Sequence, residues 1–333
     1  MKKIAIFLSA IVISFISLFA FAGCDKKNVI KVNEVTHSIF YAPFYAAINK
    51  GYFEEEGYKI ELTNGGGSNV SMTALLSNNA DIILAGPETV VYVANEGKDN
   101  APVVFGQLTK RDGSFLIGRT PEPNFEWSDL YGKEVIGGRR GGMPAMTLQY
   151  IMEHNGNLTL GENNTILNLD VAFDMTVGAF EGGQGDYVTM FEPTASEYVK
   201  AGKGYRIASL GQASGEVPYT AFIATQNFLK NQGEKAEKFL RAVVKGYNYV
   251  MTANVSDVAR TLQASFTTTS LESIEDSIES YKSIDAWNAT PVMSESAYNN
   301  LINIMMNAGE LTETVAFNKV VDNTIASRVT NAI

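Results

Sequence analysis

The sequence predicts an α/β protein of two similar lobes, each with a mostly parallel sheet flanked by helices. Short apolar runs alternate with helical stretches from Val29 to Leu108, and the same rhythm resumes after Arg111. Strands that alternate with helices in this way form parallel sheets covered on both faces. The stretches NNADIILAGPE (78–88) and GGQGDYVTMFEP (182–193) also repeat one order of parts. The chain has 333 residues, which is enough for two lobes of about 100–200 residues each.

The first half of the chain supplies the elements of one lobe. Pro43 stands at the first position of a predicted helix and Gly51 follows its end, the usual places for these residues. Ser68, after three glycines, is the predicted N-cap of a helix that ends at Leu76. The remaining predictions are strands over 29–35, 59–63, 82–85 and 103–108, and helices over 43–50 and 87–95.

The second half repeats the alternation. Its clearest helix is predicted over 145–154, because Pro144 precedes it, Gly156 follows it and its apolar residues share one face. Further strands are predicted over 115–118, 134–137, 168–171, 187–190, 206–210 and 219–224, and the chain from 226 onward is predicted to be mostly helical.

The N-terminus has the layout of an export signal. Lys2 and Lys3 precede an apolar run over 4–22, and a small-residue pair then precedes Cys24. This end resembles a bacterial lipobox, which implies a signal peptide over 1–23 and acylation of Cys24 as a membrane anchor outside the cytoplasm. A retained membrane helix is the alternative, because the run is nearly long enough to span a bilayer. Cys24 is the only cysteine in the sequence, so a disulfide framework is excluded.

The charge of the chain limits its partners. Without the predicted signal peptide the chain carries 24 lysines and arginines against 36 aspartates and glutamates, a net charge of −12. Nucleic acids and anionic lipid surfaces are bound by basic faces, so neither is expected as a partner. The apolar content of 45% is that of an ordinary globular protein.

The two repeated stretches point to a pair of glutamates. In each stretch an aspartate, Asp81 or Asp186, leads into a strand that ends at a glutamate beside a proline, Glu88 or Glu192. Ligands of open parallel sheets bind beyond the carboxyl ends of the strands. If each copy belongs to one lobe, the two glutamates face a shared crevice. The alternative is a chance similarity between two strand ends.

A glycine-rich turn lies in the stretch VIGGRRGGMPAMTLQYIMEHNG (135–156). A strand, such a turn and a helix start offer backbone N–H donors to an acceptor on a ligand. We expect Gly141, Met143 and the Arg139 guanidinium to contribute to such a site. The alternative is that Arg139 and Arg140 pair with surface carboxylates. The stretch matches neither G-x-x-x-x-G-K-[ST] nor G-x-G-x-x-G, which argues against a nucleotide hydrolase.

Several motifs together resemble one family of proteins. FYAPFYAAINKGYFEEEGYKIEL (40–62) resembles the opening of periplasmic solute-binding proteins related to the sulfonate, nitrate and thiamine-pyrimidine receptors. The motifs that carry the resemblance are Tyr41-Ala42-Pro43, Gly51-Tyr52-Phe53, Glu55-Glu56-Gly57, ALLSNNADI (74–82), GGRRGGMP, FEP and GEVPYTAF (215–222). In this order they span nearly the whole chain after the signal segment.

The resemblance implies a two-lobe clamshell of the type II periplasmic-binding-protein fold. Such a protein delivers a small ligand to the permease and ATPase of an ABC importer, and we expect it to be a monomer. Two crossovers, near 110–114 and 214–218, would form a hinge that closes on the ligand. The implied division is a signal peptide over 1–23, a first lobe over 24–112, a second lobe over 113–214, and a return over 215–333 whose C-terminal helices pack on the first lobe.

The expected ligand follows from the glutamates and the nearby aromatic residues. Carboxylates suit a ligand with N–H donors or a positive charge, and aromatic rings suit a flat ring. An amino-substituted heterocycle such as a thiamine-precursor pyrimidine fits best, with riboflavin or a taurine-like sulfonate as alternatives. Phe44 and Tyr45 are adjacent on a helix, so they cannot both face one cleft. The predicted ligand contacts are His37, Tyr41, Phe44, Glu88, Arg139, Gly141, Met143, Phe191 and Glu192, with Gly66, Ser68 and Asn69 from the equivalent glycine turn of the first lobe.

An enzyme is the rival function. Pyrimidine synthases share the implied fold, but their chemistry needs histidines and a cysteine-rich loop, whereas this chain has only His37, His154 and Cys24. The sequence also has no metal-ligand spacing and no G-x-S-x-G elbow. We therefore expect no catalysis, no cofactor and no metal. A binding protein that serves a sensor instead of a transporter is a third possibility.

Overall fold

The computed structural model describes residues 28–97 and 100–332. The predicted signal peptide and Cys24 lie outside these residues. Within them, no helix combines the length and the apolar character that crossing a membrane requires.

The described residues form ten strands and fifteen α-helices. The strands are β1 (Val29–Glu34), β2 (Lys59–Asn64), β3 (Ile82–Ala85), β4 (Pro102–Thr109), β5 (Ser114–Gly118), β6 (Glu134–Ile136), β7 (Ile166–Asn168), β8 (Tyr187–Phe191), β9 (Tyr205–Ser209) and β10 (Thr220–Thr225). The helices are α1 (Ala42–Asn49), α2 (Tyr52–Glu55), α3 (Ser68–Leu76), α4 (Glu88–Asn95), α5 (Met143–His154), α6 (Thr176–Glu181), α7 (Thr194–Lys200), α8 (Leu210–Ala213), α9 (Gln226–Asn231), α10 (Gly233–Thr252), α11 (Val255–Leu262), α12 (Leu271–Ser283), α13 (Glu295–Asn307), α14 (Phe317–Val320) and α15 (Thr324–Asn331).

Two five-stranded sheets organise the described part of the chain, and they share one topology. Their strand orders are β2-β1-β3-β10-β4 and β7-β6-β8-β5-β9. In the first sheet β1 runs parallel to β2 and β3, whereas β10 runs antiparallel to β3 and β4. In the second sheet β6, β8 and β5 take the corresponding places. The prediction of two α/β lobes with mostly parallel sheets is confirmed, because four of the five strands in each sheet run in one direction. The reversed strands, β10 and β5, each adjoin a crossover and make both sheets mixed.

The chain passes between the sheets twice. It leaves the first sheet at Thr109 and enters the second at Ser114, and it returns between Ser209 and Thr220. The two crossover segments lie side by side, since Val217 N donates to Lys110 O at 2.9 Å. The two connections between the lobes are therefore adjacent to each other.

The two aspartates of the repeated stretches play the same part in their sheets. Asp81 N donates to Lys31 O at 2.9 Å, and Lys31 N donates to Asp81 Oδ2 at 2.9 Å. Asp186 and Glu134 form the same reciprocal pair, at 2.7 and 2.9 Å. Asp81 thus ties the start of β3 to β1, and Asp186 ties the start of β8 to β6, which explains this part of the sequence repeat.

The apolar core is continuous across the two lobes. One cluster of buried side chains runs from the first sheet into the second lobe, and a separate cluster covers the other face of the second sheet. Phe40 lies at the junction, with its ring 5.7 Å from Phe191 and 5.0 Å from Tyr281. The sheets are separate, but the lobes are in direct contact.

The C-terminal helices, which were expected to pack on the first lobe, also contact elements of the second sheet. Lys200 on α7 forms an ion pair with Glu272 on α12 at 3.0 Å. Asn307 on α13 donates to Glu153 on α5 at 2.6 Å. The polar faces of α12 and α13 therefore make the contacts with α7 and α5. Apolar periodicity in the sequence does not reveal polar contacts of this kind.

Helix α10 crosses α1 at a glycine, and this contact leads to a stability prediction. A Cβ on Gly246 would lie 2.1 Å from Pro43 O and 2.9 Å from Ala47 N. Because both atoms are backbone, Gly246→Ala is expected to lower the free energy of unfolding by about 1–3 kcal/mol or more through overpacking. The control is Gly233→Ala in the same helix, where a Cβ meets nothing within 4 Å. Denaturant titration of both variants checks the prediction, and equal midpoints would contradict it.

Candidate ligand-binding site

A cavity of about 70 Å³ lies between the two sheets, and we call it the inner cavity. Both lobes line it, at the carboxyl ends of their strands and at the second crossover. Its walls are mainly apolar and aromatic. The lining residues are Val35, Thr36, Phe40, Tyr41, Gly67, Ser68, Gly86, Arg139, Gly142, Met143, Pro144, Phe173, Phe191, Tyr219 and Thr220.

Aromatic rings from both lobes meet at this cavity. The Phe40 ring lies 5.8 Å from the rings of both Tyr41 and Tyr219. Ser38 holds the short 3₁₀ turn Ile39–Tyr41 in place, because its Oγ accepts from Phe40 N at 3.2 Å and donates to Glu192 O at 2.9 Å. One serine therefore positions two aromatic residues and joins the lobes.

Glu88 lies behind the inner cavity as the first residue of α4. It is only 1% exposed, and its Oε2 has no hydrogen-bond partner among residues 28–97 and 100–332. Burial raises the pKa of Glu88 to about 7, against the opposing effects of its own backbone N–H, Arg139 and Ser68. A Cβ at Gly86 would lie 1.9 Å from Oε2, so only glycine leaves room for the carboxyl group there. The site thus holds a buried carboxyl group with capacity for a donor.

The glycine-rich turn of the second lobe reaches across to the first. Gly141 has a φ of +70°, and its carbonyl accepts from the Tyr92 hydroxyl of α4 at 3.0 Å. Gly141 itself does not line the inner cavity, whereas Met143 and Arg139 do. The Arg139 guanidinium donates to Arg140 O at 3.1 Å and is the cation that acts on Glu88.

Only part of the glycine-rich turn of the first lobe lies at the inner cavity. Ser68 borders the inner cavity, together with the backbone of Gly67. Gly66, with a φ of +71°, turns the chain so that its N–H donates to Asn64 Oδ1 at 2.8 Å, and Asn69 is exposed. Neither Gly66 nor Asn69 lines the cavity, which corrects the placement expected from the sequence.

Phe44 lies in the core of the first lobe, not in the cleft. Its side chain is fully buried among the rings of Phe53, Phe222 and Phe239, at 5.8–6.0 Å between centroids. The apolar face of α1 points towards the sheet and α10, and Phe44 is on that face. The expected ligand contact by Phe44 is therefore corrected.

The Glu192 carboxylate is also not in the inner cavity. Its two oxygens accept from Ser196 N at 2.9 Å and from Ser196 Oγ at 3.0 Å, and Arg206 forms a close ion pair with it. These contacts hold the carboxylate at the N-terminus of α7, where the helix dipole favours a negative charge. The expectation that Glu88 and Glu192 confront each other across one gap is therefore corrected.

A second cavity of about 180 Å³, which we call the outer chamber, adjoins the inner cavity at Thr36, Phe173 and Phe191. Glu192 and His37 border it. Its remaining lining residues are Ser38, Asp174, Thr176, Val177, Thr189, Met190, Pro193 and Thr194.

His37 is tied to the first lobe by both ring nitrogens. Nδ1 lies 2.9 Å from Glu34 Oε1, and Nε2 lies 2.9 Å from Ser265 O. The hydrogen bond to Glu34 raises the pKa of His37 above 6.5. Because a carbonyl can only accept, Nε2 is the donor. His37 therefore reaches the outer chamber with its ring, while its nitrogens stabilise the lobe.

Sequence reasoning missed several residues of the inner cavity. Val35 and Thr36 follow β1 directly, so the rule that sites lie beyond strand ends offered a signal for them. Phe40 and Tyr219 belong to the motifs that resemble the family, but nothing in the sequence distinguishes them from their neighbours as ligand contacts. Phe173 comes from a short 3₁₀ turn with no sequence signal.

Comparison with known proteins gives the family. A family model described as NMT1/THI5 like matches residues 39–254. A Bacillus subtilis (strain 168) protein described as "Putative binding protein YtlA" is 39% identical over 321 residues, which cover 96% of each chain.

Solved structures agree with the fold. The ligand-binding component of an ABC-type import system from Staphylococcus aureus superposes with a TM-score of 0.72 at 13% identity, over 91% of this chain and 99% of that one. The nitrate-binding protein NrtA from Synechocystis PCC 6803 gives 0.69 at 15% identity, over 92% and 89%. The alkanesulfonate-binding protein SsuA from Xanthomonas axonopodis pv. citri gives 0.68 at 13% identity, over 91% and 97%. The chain therefore belongs to the NMT1/THI5-like family, as its motifs indicated, and has the two-lobe fold of periplasmic binding proteins.

Proposed function

We propose that this protein is the extracytoplasmic solute-binding component of an ABC importer, which captures a small ligand in the inner cavity and delivers it to a permease and ATPase. The observation that supports this most is a cavity lined by both lobes next to the paired crossovers. The relative described as a binding protein and the import-system component of the same fold support it further. A lipid anchor at Cys24 and a monomeric state are parts of the same proposal.

The proposed division of the chain follows the crossovers. Residues 24–112 and 215–333 make the first lobe and its C-terminal helices, and 113–214 make the second lobe. Crossovers that lie side by side allow one lobe to rotate against the other as a hinge. Closure around a ligand then needs few backbone changes outside these segments.

For the ligand we favour an amino-substituted heterocycle such as a thiamine-precursor pyrimidine. The rings at the inner cavity suit a flat ligand, and the buried Glu88 carboxyl group suits an N–H donor. The small cavity suits a one-ring ligand better than the larger riboflavin. A simple sulfonate or nitrate would bring a negative charge towards Glu88, which is unfavourable in a buried site.

A taurine-like zwitterion is the alternative ligand. Arg139 and Glu88 approach the cavity from opposite lobes with opposite charges. A ligand with a sulfonate at one end and an ammonium group at the other would match that arrangement. The opposite charges of Arg139 and Glu88 therefore support a zwitterion as the alternative ligand.

An enzyme of the pyrimidine-synthase type is less well supported. His37 has both ring nitrogens engaged, and His154 stacks on Tyr150 at the end of α5. Across the described ranges no three potential ligands among His, Cys, Asp and Glu converge on a metal position. We therefore propose binding without catalysis, and a neighbouring permease and ATPase gene would separate a transporter from a sensor.

A thermal-shift screen tests the proposed function. The protein is melted alone and with a thiamine-precursor aminopyrimidine, riboflavin, taurine, an alkanesulfonate and nitrate. A specific ligand at one hundred times its Kd stabilises the folded state by about 2.7 kcal/mol through mass action. We expect the aminopyrimidine to raise Tm most. A shift with the alkanesulfonate or nitrate alone would contradict the assignment of Glu88.

A further inference from the structure

Helix α4 carries two polar side chains on one face, one turn apart. Glu88 is its first residue and Tyr92 follows four positions later, so the two are neighbours on the helix surface. Glu88 belongs to the proposed ligand site, whereas Tyr92 does not line the inner cavity. Tyr92 is half-buried, and its ring packs against the apolar core that continues from the first lobe into the second.

The Tyr92 hydroxyl reaches the second lobe. It donates to Gly141 O at 3.0 Å and lies 3.8 Å from Met146 Sδ on α5. Burial raises the pKa of Tyr92, so the hydroxyl keeps the proton that it donates. The tip of this first-lobe side chain is therefore in contact with both the glycine-rich turn of the second lobe and the helix that follows the turn.

The turn that Tyr92 contacts forms part of the wall of the inner cavity. A hydrogen bond from Gly142 N to Arg139 O at 3.2 Å closes the turn around Gly141. Arg139, Gly142 and Met143 all line the inner cavity. Because Gly141 stands between Arg139 and Gly142, a bond that fixes its carbonyl also fixes the backbone that carries these lining residues.

The close approach at this turn depends on a glycine. Gly141 has a φ of +70°, which favours glycine, and a Cβ there would lie 3.4 Å from the Tyr92 hydroxyl and 3.2 Å from Glu310 Oε2. Glu310 follows α13, so three separate parts of the chain meet at position 141. A larger residue would crowd both neighbours, and the glycine therefore lets the turn lie against α4.

The hydrogen bond from Tyr92 to Gly141, which we call the latch, joins the two lobes outside the crossovers. Tyr92 precedes the first crossover in the chain, and Gly141 lies between the two crossovers. A rotation of one lobe against the other therefore separates the hydroxyl from the carbonyl, and water then hydrogen-bonds to each of them. The latch stabilises the closed form alone, by the net value of one hydrogen bond exchanged with water.

We propose that Tyr92 is a positioning residue that holds the glycine-rich turn against α4 when the lobes close, and that it thereby controls how long the ligand is retained. This inference rests on the proposed binding function and deepens it, because it assigns the control of release to a residue that does not line the inner cavity. The ligand enters the open form, in which the latch is broken. The latch therefore slows dissociation of the ligand and leaves its association unchanged.

The first test needs no ligand and compares small-angle X-ray scattering of the wild type, Tyr92→Phe and Tyr249→Phe. Tyr249 is the matched control, because its hydroxyl also donates to a backbone carbonyl, Asp257 O at 3.1 Å, but within the C-terminal helices. Tyr92→Phe is expected to increase the radius of gyration, because the closed form loses a bond, and Tyr249→Phe to leave it unchanged. A radius of gyration that does not change in Tyr92→Phe overturns the inference.

The second test measures the rates of association and dissociation of the thiamine-precursor aminopyrimidine by stopped-flow fluorescence. Tyr92→Phe is expected to raise the dissociation rate about three- to tenfold, the effect of one lost neutral hydrogen bond, and to change the association rate by less than about twofold. Tyr249→Phe should keep both rates of the wild type. An unchanged dissociation rate in Tyr92→Phe, or a loss of affinity that arises from slower association, overturns the role in release.

The two tests separate this inference from the proposed ligand class. Failure of the aminopyrimidine to bind the wild type would refute the ligand class, and the scattering result would still decide whether Tyr92 stabilises the closed form. The ligand that raises Tm in the thermal-shift screen would then replace the aminopyrimidine in the kinetic experiment, with the same expected change in dissociation rate.

Discussion

Glu88→Gln is expected to weaken binding of the thiamine-precursor aminopyrimidine by about ten- to a hundredfold. A hydrogen bond to a charged group contributes about 1.5–3 kcal/mol, which corresponds to that range. Glutamine keeps the size and one carbonyl acceptor, so above pH 7, where Glu88 is ionised, the loss reports the charge of the carboxylate. Calorimetric titration of the wild type and the variant measures the ratio of their Kd values.

Glu192→Gln is the matched control for this experiment. Glu192 holds the corresponding place after β8, but its carboxylate is engaged by Arg206 and Ser196. We expect this variant to lose stability and to bind the aminopyrimidine nearly as the wild type does. A large loss of affinity in Glu192→Gln, with little in Glu88→Gln, would reverse the assignment of the two residues.

The ligand-free protein is expected to become less stable as the pH rises from about 4 to about 7. The pKa of Glu88 is raised by burial from 4.5 to about 7, and that of Asp112 from 3.8 to about 7. Both groups hold protons more strongly in the folded chain than in the unfolded one, so rising pH removes protons at a cost to the folded state. The loss for each group is on the order of 3 kcal/mol and is complete above about pH 7.

The variant Glu88→Gln/Asp112→Asn isolates this effect. Neither amide titrates, so the fall in the free energy of unfolding across this pH range should be several kcal/mol smaller than in the wild type. The raised pKa of His37 gives a further loss at rising pH, and it remains in both proteins. Urea titrations at a series of pH values measure the difference, and parallel curves for the two proteins would show that the carboxyl groups are not responsible.

The fold could be predicted from the sequence where apolar periodicity is decisive. The buried strand Ile82–Ala85 was predicted with its observed bounds, and a helix was predicted directly after it, where α4 begins at Glu88. The direction of β10 could not be predicted, because strand periodicity is the same in either direction. Only the crossover geometry decides that it runs antiparallel to its neighbours.

The candidate site was predictable in part. Glu88 was predicted as a ligand contact because it follows a buried strand, a position that puts a side chain near the sheet edge. Its counterpart Glu192 was misplaced, because nothing near it in the sequence reveals the ion pair with Arg206 from a different strand. Phe44 was misplaced because a helical motif does not show which face of the helix meets the core.

The contacts that α12 and α13 make with α7 and α5 have a kinetic consequence. Any widening of the cleft has to separate Lys200 from Glu272 and Asn307 from Glu153, in addition to bending the crossovers. Ion pairs at the surface are weakened by dissolved salt. If the protein releases its ligand by opening the cleft, as proposed, we expect dissolved salt to shorten the lifetime of the closed form through the exposed Lys200–Glu272 pair.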